Sequence, residues 1–242
     1  MTYCVGLLLD QGLVLLSDTR TNAGLDNIST YRKMFTFCEP GERVIAIMTA
    51  GSLSVTQTAI ARLTEAAEDP DATETTSIMK APTMLKVAEL VGSVLSRVSL
   101  EISQKMESQK QSARASMIVA GQRAGGPMRM FLIYPEGNFI EATRDTPFLQ
   151  IGEHKYGKPI LDRVVSPETS LEDAQKAVFL SMDSTLRSNL SVGMPLDLVV
   201  IEEGTLDISE ERRIEATDER FQVMSQAWSD ALREAFQQID LV

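Results

Sequence analysis

Two pairs of aliphatic runs, each broken by turn-forming residues, fill the first fifty positions. Tyr3 to Leu9 and Leu13 to Ser17 flank Gln11-Gly12, while about Lys33 to Phe37 and Val44 to Met48 flank Pro40-Gly41. Both pairs read as β-hairpins. Beyond Gly51 the period changes. Val55, Ala59, Ile60 and Leu63 recur at helical spacing, a polar stretch from Glu68 to Ser77 interrupts, and Met84, Ala88, Val91, Leu95, Val98 and Ile102 then form a stripe at spacings of three and four. That stripe predicts a helix burying one face. Strands return at Ser116 to Gly121 and Met128 to Tyr134 around a Gly125-Gly126 turn, and Pro135-Glu136-Gly137 leads on to Phe139-Ile140. A third helix is expected to open at Thr169, spaced from Glu172 as a capping box, and to run through Leu171, Ala174, Val178 and Met182. Strands at Leu196 to Ile201 and around Arg213 to Glu215 follow, then a last helix with Phe221, Met224, Trp228, Leu232 and Phe236 on one side. Two hairpin-built sheets with helices inserted between the strand blocks predict a layered α+β sandwich, sheets inside and helices outside. No linker or repeat divides it, so residues 1–242 read as one domain.

Composition narrows the function. The chain has 43% hydrophobic residues, enough for a large core without disulfides or metals. Its formal charge of -11 and 5% aromatic content run against a nucleic-acid binder, which needs a basic footprint and stacking side chains. The apolar run Val5 to Leu9 ends at Asp10, far short of the ~20 residues of a membrane span. Cys4 and Cys38 sit in apolar strand-like segments without metal-ligand spacing, as buried thiols of a reducing cytoplasm would.

Familiar catalytic signatures are missing: the chain has no Gly-x-Ser-x-Gly, phosphate loop, His-Glu-x-x-His or dinucleotide fingerprint. The single histidine, His154, lies in a polar Gly152-to-Gly157 segment and reads as a surface residue. The start of the chain offers an alternative. Thr2 is small enough for methionine aminopeptidase to expose it by removing Met1, and a free N-terminal threonine carries a hydroxyl nucleophile beside an α-amine whose pKa is about 7.7 to 8.0. With a turn at Gln11-Gly12, the first hairpin sets Thr2 opposite Thr21, with Asp18 and Arg20 within a few residues. The second hairpin brings Lys33 to its open end, with Ala50 and Gly51 just beyond the other strand. Where the two open ends converge, a lysine ammonium would lower the pKa of the hydroxyl and the α-amine, and Asp18 would hold that lysine charged. Gly51, heading a helix, could aim its N–H at a developing oxyanion. Taken singly, each residue also has a plain structural reading: Asp18 as a strand-end turn former, Lys33 as a solvated edge residue, Gly51 as a helix start.

In combination these residues resemble a family. Thr2 after Met1, Ser17-Asp18-Thr19-Arg20, Arg32-Lys33 and Met48-Thr49-Ala50-Gly51 before a helix follow the order and spacing of proteasome β-subunits and bacterial HslV. Pro135-Glu136-Gly137 before Phe139 to Ala142, and Gln150-Ile151-Gly152, are similar to that family's middle strand block. Thr2 to Gly6 and Ser188 to Gly193 look most like the Anbu branch. The resemblance implies a four-layer αββα N-terminal-nucleophile fold, Thr2 as nucleophile, Asp18 and Lys33 as its activating pair, Gly51 as oxyanion donor and Ser191 as a supporting residue. It implies a peptide or amide substrate, no cofactor or metal, and self-association into a ring or open spiral; no ATPase partner is named by the acidic surface. Two positions depart from the pattern: Ser188 stands in place of an aspartate, and Glu153 in place of an auxiliary serine. Three functional readings stay open: a threonine hydrolase, a non-catalytic assembly subunit with a vestigial site, and an enzyme passing the acyl group to an amine, as a ligase or narrow amidase.

Overall fold

The computed structural model describes residues 2–22, 28–106 and 113–240. The first hairpin is β1 (Tyr3–Leu9) and β2 (Gly12–Asp18); two short strands, β3 (Arg20–Asn22) and β4 (Ile28–Thr30), precede the second hairpin, β5 (Met34–Glu39) and β6 (Arg43–Gly51). Helices α1 (Leu53–Glu68) and α2 (Met84–Met106) follow, then β7 (Ala115–Arg123), β8 (Arg129–Ile133), β9 (Phe139–Glu141) and β10 (Phe148–Gly152). The chain continues through α3 (Lys158–Val164), α4 (Leu171–Ser188), β11 (Leu196–Glu202), β12 (Glu210–Ile214) and α5 (Glu219–Gln238).

Two five-stranded antiparallel sheets, ordered β10-β1-β2-β11-β12 and β5-β6-β7-β8-β9, carry the fold, with β3 and β4 paired apart from both. Burial divides into three apolar layers. Cys4, Leu13, Leu15, Met48, Ile118, Met130 and Ile201 lie between the sheets. Ile45, Ile47, Val119 and Phe131 pack outward beneath α1 and α2, and Val5, Leu7, Leu16 and Leu198 pack outward beneath α3 and α4. Every residue of β2 is therefore buried, because its alternating side chains meet a core on each face. Three cores between four layers make the αββα sandwich.

The helical stripes fall where the sequence predicts them: Val55, Ala59, Ile60 and Leu63 of α1 and Met84, Ala88, Val91, Leu95 and Val98 of α2 are buried. The third helix starts one residue late, since the side chain of Ser170, not Thr169, caps α4 by accepting from the Asp173 amide. The first hairpin also differs. Its turn is Asp10-Gln11, and Gly12 has already rejoined the sheet opposite Leu9, giving Cys4↔Ser17. Gly12 is a glycine for another reason: a Cβ there would meet the Ile201 carbonyl of β11 at 2.2 Å. The resulting shift of two residues leaves every side chain on its expected face but changes its partner. Continued outward, the register sets Tyr3 across from Asp18 and Thr2 across from Thr19, instead of Thr2 across from Thr21.

Candidate functional site

Asp18 ends β2 and is fully buried. An isolated carboxylate there would be very costly, and three groups compensate it: the Lys33 ammonium at 2.7 Å and the Tyr3 amide at 3.1 Å on Oδ1, and the Gly193 amide at 3.2 Å on Oδ2. Burial pushes the Asp18 carboxyl upward, while Lys33 and the two amides pull the other way. Lys33 is itself only 4% exposed. Its Nζ also donates to the Arg20 carbonyl at 2.6 Å, and its own carbonyl accepts from the Thr49 amide at 2.9 Å. The ion pair is thus clamped at both ends, with strands β1, β2 and β6 contributing.

Thr2 lies at the head of β1 and is 6% exposed. Its carbonyl accepts from the Glu153 amide at 2.7 Å, extending the β1–β10 ladder in which Tyr3 opposes Gly152. The next residue, Tyr3, gives its amide to Asp18. Gly51 ends β6 with a φ of +112°, a conformation few L side chains adopt; it sits two residues past Thr49 and two before α1. Ser191 lies two residues before Gly193, and its amide donates to Asn189 Oδ1 at 2.9 Å. Each of Thr2, Gly51 and Ser191 is therefore one or two residues from a direct hydrogen bond to Asp18 or Lys33. The five sequence candidates gather at one end of the sandwich. A cavity of about 440 Å³ lies at the other end of β1, lined by Leu9, Asp10, Arg129, Glu141 and Arg144 among others.

Several contributors escape sequence reasoning. The Gly193 amide and the Arg20 carbonyl reach the ion pair through backbone atoms, which no residue type advertises. Tyr3 reads as a strand residue, yet its phenol makes two hydrogen bonds of 2.6 Å, to Ser181 Oγ and Gln150 Nε2. Of the two positions that depart from the family pattern, Glu153 meets Thr2 through its backbone amide, and Ser188 closes α4 just before Asn189, whose side chain orders the Ser191 amide. His154 is exposed, its Nδ1 3.2 Å from the Gly152 carbonyl. Among the described residues no group of three or more His, Cys, Asp or Glu side chains gathers as a metal would require, and no helix is long and apolar enough to cross a membrane.

The model of the proteasome subunit family matches residues 2–201, leaving β12 and α5 beyond the matched segment. Solved structures similar along the whole chain include Anbu (ancestral beta-subunit) from Yersinia bercovieri, at 41% identity and a TM-score of 0.92 over 99% of this chain and 98% of that one. An Anbu (Gly-1) mutant from Hyphomicrobium sp. strain MC1 is 48% identical with a TM-score of 0.92, covering 100% and 99%. The helical assembly of the Anbu complex from Pseudomonas aeruginosa gives 43% and 0.93, covering 99% and 98%. Comparison with curated proteins finds no match.

Proposed function

Because the chain belongs to the proteasome family, we propose that it is a threonine-type N-terminal-nucleophile hydrolase acting on peptide or other amide bonds. Once Met1 is removed, Thr2 Oγ attacks the amide carbon as the α-amine takes the hydroxyl proton. The proton passes to the departing amine, leaving an ester on Thr2. Water, deprotonated by the same α-amine, hydrolyses that ester and restores the free hydroxyl. Lys33 supplies the positive field that favours the deprotonated nucleophile and base, and Asp18 holds Lys33 in place. The Gly51 amide serves the oxyanion, a role from which one donor contributes ~3 kcal/mol, and Ser191 helps orient the α-amine.

The observation that carries this reading is the buried Lys33–Asp18 pair, 2.7 Å apart and one residue from Thr2. Ion pairs in protein interiors rarely stabilise more than apolar residues of the same volume, so a core needing only stability has little use for one here. Clustered buried titratable groups of this kind mark functional sites. The domain, spanning 1–242, works in a reducing cytoplasm with Cys4 and Cys38 as free thiols. It acts within a homo-oligomeric assembly, a reading supported by the helical assembly of the Pseudomonas aeruginosa relative.

The test is intact mass spectrometry of protein made without an N-terminal tag, before and after a β-lactone probe. The expected result is loss of Met1 and one stoichiometric adduct, absent from Thr2→Ala. A Met-free protein that takes no adduct would overturn the hydrolase and favour the second reading, a non-catalytic subunit, for which Ser188 in place of the family's aspartate speaks.

A further inference from the structure

A nucleophile at the head of a strand faces a mechanical difficulty. Strand ends fray, and an attacking hydroxyl displaced by 1 Å loses on the order of a hundredfold in rate. Among the described residues, the Glu153 amide on its carbonyl holds Thr2 from across the sheet. Its covalent neighbour, Tyr3, carries a second hold, an amide bonded to Asp18.

We propose that Tyr3 is the positioning residue of this site, its phenol anchored between α4 and β10 so that its amide, bonded to Asp18, holds Thr2 at a fixed place beside the ion pair. Three observations support this. The phenol is fully buried and doubly bonded, to Ser181 of α4 and Gln150 of β10. Gln150 Nε2 can only donate, so the phenol oxygen accepts from it and the phenol proton goes to Ser181 Oγ. Ser181 is fixed in turn, since its carbonyl accepts from Thr185 Oγ1 at 3.0 Å one turn later. Burial raises the phenol's pKa to about 12, so it remains a neutral donor across the working range. The space around the pair is also reserved: a Cβ at Gly157 would stand 2.1 Å from Ser181 Oγ and 2.7 Å from the Tyr3 hydroxyl. A side chain there would part the two hydroxyls. The anchor therefore joins the outer helical layer, through the backbone of residue 3, to the first peptide unit of the site.

This inference rests on the hydrolase reading, and its test separates the two. Acylation by the β-lactone probe is followed by intact mass over a range of concentrations, giving the maximal rate and the half-saturating concentration for wild type, Tyr3→Phe, Ser181→Ala, Gly157→Ala and the Tyr3→Phe/Ser181→Ala double variant, each normalised to its folded fraction. Loss of position is expected to lower the maximal rate on the order of tenfold with half-saturation unchanged, and the double variant is expected to fall no further than the singles, because both remove one anchor. Unchanged maximal rates, or effects that multiply in the double variant, would overturn the proposal. If wild type takes no adduct, the hydrolase reading falls, and amide exchange at Tyr3 decides the anchor instead. Ser181→Ala and Gly157→Ala should then speed that exchange about tenfold, and unchanged exchange would overturn the positioning role.

Discussion

Asp18 and Lys33 show how a residue can be structural and functional at once. Removing one partner of a buried pair strands the other, so Lys33→Ala is expected to cost about 3–5 kcal/mol in stability and to abolish acylation of Thr2. Replacing both, as Asp18→Asn with Lys33→Met, removes the stranded charge. Chemical denaturation should show stability within about 1–2 kcal/mol of wild type, while acylation stays absent; recovery of acylation in the double variant would show that the pair is packing alone. Tyr3 gives a second prediction, of known sign. Its folded pKa lies above the usual phenol value because burial penalises the charged form. The stability it contributes is thus complete below pH ~10 and lost as pH rises through about 12. An ultraviolet titration of tyrosinate should show a late phase near pH 12 that Tyr3→Phe eliminates. Thr2, Asp18, Lys33 and Gly51 stand out in the sequence only as a set, by their order and spacing, since each alone has a plain structural reading. The Gly193 amide, the Arg20 carbonyl and the Tyr3 amide were not legible, since backbone groups are common to all residues and only the folded register aims them.

Among the elements, helices α1, α2 and α4 were readable because their apolar stripes meet a sheet along their length. α5 also carries an apolar side in the sequence, but little of that side is covered. Phe221 and Met224 pack onto the layer beside α4, but no α5 residue is buried, and Leu232 and Phe236 are 50% and 79% exposed. A stripe says which side of a helix is apolar; it does not say whether anything lies beneath. α4 reaches α5 through the edge-to-face pair Phe179–Phe221 and through Asp183 and Arg187, which bond Ser225. Accordingly Phe236→Ser should change the unfolding free energy of the single subunit by less than about 0.5 kcal/mol, whereas Ser170→Ala, which removes the α4 cap, should cost ~1 kcal/mol. Thermal unfolding of the two variants checks the contrast. The short elements β3, β4 and α3 had no readable period, being three to seven residues long. The first hairpin was misregistered because a glycine needed for the approach of β11 resembles a turn glycine.

Across the whole molecule, the four layers place chemistry and stability in different regions. The apolar cores occupy the spaces between layers, while the charged pair stands where the ends of β1, β2 and β6 converge. The layered class was accessible from the alternation of strand blocks and helices, but the convergence was only conditional: nothing in the periodicity requires two hairpins to present the same ends. Asp18–Lys33 contact supplies that link. Proteasome-family membership extends it from Thr2 through β11, and the helical assembly of a relative leads us to expect native mass spectrometry to find multiples of the subunit mass. The most direct test of the account is to map the β-lactone adduct by tandem mass spectrometry in wild type and in the Asp18→Asn/Lys33→Met variant. The expected result is an ester on the hydroxyl of Thr2 in the first and none in the second. An adduct on any other residue, or equal labelling of Thr2 in both proteins, would contradict it.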